Sequence, residues 1–208
     1  MPVVTAERTH ATHHGHGARI GPNAIIRVAE ALRAFEGPAL SARVFRTAGL
    51  DHYLDAPPQQ MVDECDVIAL HRALVTDVGQ VRAASVSWIA GHRTADYLLE
   101  NRIPIAAQRL MKALPAHAAS IILLTAISRN AWTFSGSGHF TYRFGNPARV
   151  SIANCPVCRG AHAASPACTY FAATFERLYS VLVHPDTRVV ERTCMALDAP
   201  ACTFDISW

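Results

Sequence analysis

Apolar residues return at helical spacing through most of the first 130 positions. Between Asn23 and Phe35, the residues Ile25, Ile26, Val28, Ala29, Leu32 and Phe35 recur every three or four places, which lines one face of a helix. Gly21-Pro22-Asn23 is a start signal for it and Gly37-Pro38 a stop. A second, shorter helix is predicted over 39–47, closed by Gly49, and Pro57-Pro58 marks the next break. Further helices are predicted over 61–78 and 81–101, divided at Gly79, and over 104–114 and 116–131, divided at Pro115.

The period then changes. Segments 139–144 and 149–153 alternate apolar and polar residues and are joined by Gly145-Asn146-Pro147, a hairpin signal. Segment 167–182 returns to helical spacing, with Phe171, Phe175, Leu178 and Leu182 on one face. Two last strands, 187–196 and 201–206, flank Asp198-Ala199-Pro200. The expected class is α+β: an N-terminal helical section, then an antiparallel, roughly four-stranded sheet with a crossing helix. Residues 19–208 read as one domain, with 19–132 its helical part and 133–208 its sheet part. Residues 1–18 hold His10, His13, His14 and His16 with no apolar period, and read as a flexible histidine-rich tail.

Composition narrows the function classes. Half of the 208 residues are hydrophobic and 17% are charged, enough apolar material for a full core with some left for a pocket. The formal charge is +3 without a basic run, so no dense cationic face is expected for nucleic acid. The longest uncharged stretch, 113–128, has sixteen residues, short of the roughly 20 that a membrane span needs. The N-terminus lacks a charged-then-apolar signal pattern, so the expected location is the cytoplasm, where thiols stay reduced.

Five of the six cysteines, Cys155, Cys158, Cys168, Cys194 and Cys202, fall in the last 54 residues. Cys168 opens a predicted helix, while Cys194 and Cys202 lie on the two strands of the last hairpin, where they can face each other. Glu191 on the same strand offers an oxygen ligand. A metal site at these positions and a set of small buried thiols are both open readings. Side chains alternate along a strand, so Glu191 and Cys194 point to opposite faces unless the strand bulges near Thr193. Cys155-Pro156-Val157-Cys158 is a C-x-x-C, a pattern of redox and zinc-ribbon chemistry. It precedes a Gly- and Ala-rich loop rather than a helix, and the plainer expectation is a loop packed against the metal region.

Cys158-Arg159-Gly160, Cys168 at a helix start, Glu191-x-x-Cys194 and Cys202-Thr203-Phe204 together resemble the 4-vinyl reductase domain family. The opening Arg19-Ile20-Gly21-Pro22-Asn23-Ala24 and the helical stretch to Trp132 extend the likeness to the bacteriochlorophyll 4-vinyl reductase family over roughly 19–208. The resemblance implies a small-ligand-binding fold and a structural zinc ion on Cys168, Glu191, Cys194 and Cys202. It also implies a magnesium tetrapyrrole of the divinyl protochlorophyllide or chlorophyllide type as ligand, other bacteriochlorophyll biosynthesis enzymes as partners, and a homodimer.

Reducing a vinyl group needs a hydride or electrons, which side chains do not supply. No G-x-G-x-x-G follows a predicted strand and no iron–sulfur cysteine run is visible. The sequence therefore points first to a tetrapyrrole carrier or accessory factor for vinyl reduction. The vinyl reductase itself, working with an external electron donor, comes second, and a small-ligand sensor or assembly module third. The expected pocket is formed by the helices over 81–101 and 116–131, through Trp88, His92, Ile121, Leu124 and Trp132. His92 lies one helical turn from Trp88, placed to ligate magnesium or to bond a propionate; a histidine satisfied within the core is the bland alternative. His71 is a weaker candidate of the same kind.

Overall fold

A computed structural model describes residues 17–208. The histidines expected to form a flexible tail, His10 to His16, lie outside the described residues.

The chain opens with β1 (Arg19–Ile20) and α1 (Asn23–Phe35), whose bounds are those the apolar period predicts. Then come α2 (Pro38–Thr47), a single turn α3 (His52–Asp55), β2 (Val62–Asp63), α4 (Glu64–Val78) and α5 (Gln80–Asn101). The pair α6 (Ile105–Ala113) and α7 (Ala116–Arg129) is followed by the short α8 (Trp132–Ser135). The sheet region holds β3 (His139–Arg143), β4 (Ala148–Ala153), α9 (Thr169–Leu182), β5 (Arg188–Thr193) and β6 (Ala201–Ser207). Element type agrees with the sequence reading almost throughout. The helix expected from residue 61 starts later because Val62–Asp63 pairs with Arg19–Ile20, and the Asp63 side chain caps α4 by accepting from Cys65 N–H at 2.8 Å. Gly79 divides α4 from α5 at φ +78°, a value that L side chains avoid.

The four strands run antiparallel in the order β3-β4-β6-β5. Register sets Val150 opposite Phe204 and Ile152 opposite Cys202. Val150, Ile152, Cys202 and Phe204 are all fully buried, so the period of two carries the Cys202 thiol into the core beside large apolar neighbours. Helix α9 covers this sheet, with Phe175 edge-on to Phe204 at 5.7 Å between centroids. The opposite side of α9 meets α5, which in turn packs on α1. At the α5–α9 crossing a Cβ on Gly91 would stand 2.3 Å from Tyr170 C=O, so the backbones touch only because that residue is glycine. Thr174 Oγ1 donates to Gly91 C=O at 3.1 Å, and Thr94 Oγ1 and Tyr170 Oη lie 2.8 Å apart. No helix of the described residues is long and apolar enough to cross a membrane.

Candidate metal centre

Four separate pieces of chain converge at one end of the sheet. Strand β4 leaves through Asn154, at φ +52°, directly into Cys155-Pro156-Val157-Cys158. Cys168 stands at the N-cap of α9, where the helix end favours negative charge. Cys202 comes from β6, and Glu191 and Cys194 from β5 and its exit.

The sequence requires a bulge for Glu191 and Cys194 to share an ion, and β5 has one. Glu191 pairs with Phe204 and Thr193 with Thr203, so Arg192 is the extra residue and the register shifts between Glu191 and Thr193. The strand ends at Thr193, earlier than expected, and Cys194 opens a 3-10 turn, Met195–Leu197. Released from the pleat, Cys194 turns to the same side as the Glu191 carboxylate.

The five cysteines of the sheet region are free and buried, and Cys65 is free and exposed. Cys155 Sγ is 3.5 Å from Cys168 Sγ, Cys158 Sγ is 3.2 Å from Cys202 Sγ, and Cys168 Sγ is 3.3 Å from Cys202 Sγ. Two sets of ligand atoms lie within 4.8 Å of one another: Cys155, Cys158, Cys168 and Cys202, and separately Cys168, Glu191, Cys194 and Cys202. A tetrahedral ion bonded at about 2.3 Å to four sulfurs sets them about 3.8 Å apart. Both sets fit that spacing, and the soft donors suit a borderline-soft ion.

The surroundings fit a metal as well. Backbone N–H groups of Ala167 and Met195 donate to Cys194 Sγ and Cys202 Sγ, each at 3.4 Å, as outer-shell donors to metal thiolates do. Cys168 N–H donates to Glu191 Oε2 at 2.9 Å, while Glu191 Oε1 is buried without a partner. A buried carboxylate oxygen with no hydrogen-bond partner is a donor that a cation would satisfy.

Without an ion the groups compete for protons. Hydrogen bonding to Cys155 and the other thiols draws Cys158 down, whereas Cys155 and Cys158 drive Cys168 and Cys202 up. Cys194 is raised by Cys158 but lowered more by Cys168 and Cys202, and comes to about 6. Burial and the Cys194 charge push the Glu191 carboxyl up to about 9. An arriving cation replaces these shared protons, so binding tightens as pH rises.

Long-range contacts fix the C-x-x-C loop. Arg159, next to Cys158, donates to Glu64 Oε1 at 2.7 Å and to Asn154 C=O at 2.6 Å. Glu64, at the start of α4, also accepts from Ser137 N–H at 2.8 Å and Ser137 Oγ at 2.7 Å. Burial opposes ionisation of Glu64, but the bonds from Arg159 and Ser137 prevail and hold its carboxyl below the usual range. Arg72 donates to Arg159 C=O at 2.8 Å.

The structure thus brings Cys168, Glu191, Cys194 and Cys202 together and adds Cys155 and Cys158, which sequence reasoning left to a packing loop. Their C-x-x-C spacing was the available signal. The pocket residues are more scattered. Trp88 and His92 are half-buried, their rings tilted at 40° with centroids 5.1 Å apart, and His92 Nε2 is buried without a partner. Ile121 and Trp132 are 47% and 56% exposed, whereas Leu124 is wholly buried. Helix α9 packs against both α5 and α7. The two best-formed cavities among the described residues touch none of the five. The larger, about 280 Å³, is lined by Arg27, Glu30, Arg93, Asp96, Tyr97 and Glu100, and the smaller, about 110 Å³, lies between α1 and Tyr53.

Comparison with known proteins places this arrangement. The V4R domain family matches residues 148–207, the segment that holds β4 to β6 and every candidate ligand. The bacteriochlorophyll synthase 23 kDa chain of Cereibacter sphaeroides is 43% identical over 90% of this chain and 90% of its own length. That of Rhodobacter capsulatus is 38% identical over 89% of this chain and 85% of its own. Among solved structures, an H-NOX protein from S. oneidensis in the Fe(II)NO state aligns over 90% of this chain and 98% of its own, at a TM-score of 0.46 and 9% identity. With identity this high across nearly its whole length, the chain belongs to the V4R-containing family of the bacteriochlorophyll synthase 23 kDa chains.

Proposed function

We propose that the protein works in bacteriochlorophyll synthesis as a carrier or accessory factor that binds a divinyl protochlorophyllide- or chlorophyllide-type magnesium tetrapyrrole for vinyl reduction. The observation that carries this reading is the 43% identity, over 90% of both chains, to a protein named as a chain of bacteriochlorophyll synthase. The sulfur-rich centre serves as a structural clamp, with Cys168, Glu191, Cys194 and Cys202 holding zinc. In that role it stabilises the sheet and takes no part in chemistry on the pigment.

Of the five residues assigned to the pigment, Trp88 and His92 have the most suitable chemistry. Burial, followed by the Arg177 charge, lowers the His92 pKa, which favours the neutral imidazole that ligation of magnesium needs. Ile121 and Trp132 supply exposed apolar and aromatic area for a flat ring, and Leu124 backs α7 from within the core. Carriage needs only such a surface, whereas reduction needs an electron donor from outside the chain.

Titration of the purified chain with a magnesium divinyl chlorophyllide tests the proposal. A saturable Soret shift with quenching of tryptophan fluorescence is expected, weakened at least tenfold by His92→Ala or Trp132→Ala. An unchanged spectrum overturns the proposal. Conversion of vinyl to ethyl on adding reduced nicotinamide or ferredoxin would make the protein the reductase instead.

A further inference from the structure

The centre holds more ligands than one ion takes. Five thiols and one carboxylate point into it, and the two four-ligand sets share Cys168 and Cys202. We propose that the protein binds two zinc ions in one thiolate-bridged cluster, with Cys168 and Cys202 as bridges, Cys155 and Cys158 as terminal ligands of one ion, and Glu191 and Cys194 as terminal ligands of the other. The inference rests on the metal reading of the centre given above and adds a second ion to it.

Three observations carry it. The first is the division of the ligands: the outer pairs Cys155–Cys158 and Glu191–Cys194 fall in different sets, and each set is completed by the same two sulfurs. The second is distance. Cys168 Sγ and Cys202 Sγ are 3.3 Å apart, and two ions on either side of that edge, each at about 2.3 Å from both sulfurs, would stand about 3.2 Å from each other. The third is that one ion leaves a defect whichever set it takes. In the all-thiolate set, Glu191 Oε1 stays buried with no partner. In the other set, Cys155 and Cys158 stay buried with their sulfurs 3.5 and 3.2 Å from sulfurs already committed to the ion.

Charge does not oppose the second ion. Five thiolates and a carboxylate against two divalent cations leave a net charge of about minus two, the same as for a single zinc in four thiolates. Each ligand still protonated, whether a thiol or the Glu191 carboxyl, gives up its proton to solvent as its bond to zinc forms, and no oxidation or reduction takes place. Two ions linked through Cys168 at the start of α9 and Cys202 on β6 tie the C-x-x-C loop, α9 and the last hairpin into one unit.

The test is metal counting and cadmium magnetic resonance on the full chain, produced in zinc-supplemented medium and purified without chelator. About two zinc ions per chain are expected, and after exchange two cadmium-113 resonances that split each other through the shared sulfurs. The double variant Cys155→Ser/Cys158→Ser should keep its circular dichroism, bind about one ion and give a single unsplit resonance. One ion in the unaltered chain, or two resonances without mutual splitting, overturns the bridged cluster and leaves the single-ion clamp standing. No tightly held metal at all overturns the metal reading itself. Acid-labile sulfide with visible absorption overturns zinc in favour of an iron–sulfur cluster. The spectrum of the unaltered chain decides the question even if the double variant fails to fold.

Discussion

The two halves of the molecule are held together by different means. In the helical half, α1, α2, α4 and α5 bury an aliphatic and alanine-rich core, including Ile25, Val28, Leu32, Val44, Val67, Leu70 and Leu74, and stability there follows apolar area removed from water. In the sheet half, one end of the core is sulfur and carboxylate, and its loops are tied by Glu64, Arg72 and Arg159 rather than by regular structure. Apolar packing tolerates change in proportion to the volume lost. A ligand cluster works as a unit and fails as one.

Metal removal should expose that difference most strongly. Binding free energy for structural zinc is on the order of 10 kcal/mol or more in small domains. Chelation at mildly acidic pH is therefore expected to unfold β4, β5, β6 and the 154–168 loop while α1, α4 and α5 stay folded. Hydrogen exchange reads this directly, as lost protection over 188–207 with protection kept over 23–35 and 64–101. Uniform loss across both halves would show that the clamp supports the whole chain. Cys65→Ser, at an exposed cysteine, should change nothing and serves as the control.

Glu64→Ala reaches the same region from outside the cluster. Removing one partner of a buried ion pair costs roughly 3 to 5 kcal/mol, and the Glu64 side chain is only 8% exposed while Arg159 is 23% exposed. A loss near the lower end is expected in chemical denaturation. In metal-loaded protein, Cys155 and Cys158 should react faster with a thiol reagent as their loop comes away from α4. Unchanged thiol reactivity would mean that the sulfur contacts alone hold the loop.

His71 gives the helical half its own pH dependence. It is buried edge-on to Tyr170, and burial lowers its pKa to about 4 against an ordinary 6.5. The unfolded chain therefore takes up the proton first. Stability from the neutral imidazole is complete above about pH 6.5 and is lost as pH falls towards 4, by up to roughly 3 kcal/mol. His71→Phe should flatten that part of the stability curve relative to the unaltered chain. An equal slope in both proteins would remove His71 as its cause.

What the sequence made legible follows the same division. Helix α1 is readable to the residue because Gly21-Pro22 and Gly37-Pro38 punctuate a clean period. The bulge at Thr193 follows from asking how Glu191 and Cys194 can share an ion, and the register shift is where that question puts it. The paired strands Arg19–Ile20 and Val62–Asp63 have two residues each, too few for any period. Cys155 and Cys158 stay outside a sequence-derived ligand set because what carries them inward is Arg159 meeting Glu64, 95 positions away. The pigment site is hardest, since apolar positions on α5 and α7 look alike whether they face a ligand or α9.

The smallest expected effect belongs to the seam between the halves, where α5 lies on α9. Gly91 is buried there with Tyr170 C=O 2.3 Å and the Ala173 methyl 2.9 Å from where its Cβ would be. The helix backbone at Gly91 suits any residue, and alanine raises intrinsic helix propensity by about 1 kcal/mol, so Gly91→Ala would stabilise an isolated α5. In the folded chain the added methyl has no room. The helices must move apart, stretching the 3.1 Å bond from Thr174 Oγ1 to Gly91 C=O and the 2.8 Å contact between Thr94 and Tyr170, and overpacking of this kind costs about 1 to 3 kcal/mol. A net loss of about 1 kcal/mol by denaturant unfolding is expected, and metal content reads whether the shift at Tyr170 reaches Cys168, two residues away at the N-cap of α9. A gain in stability would show that the crossing adjusts freely. A loss of metal would show that the two halves are coupled through α9.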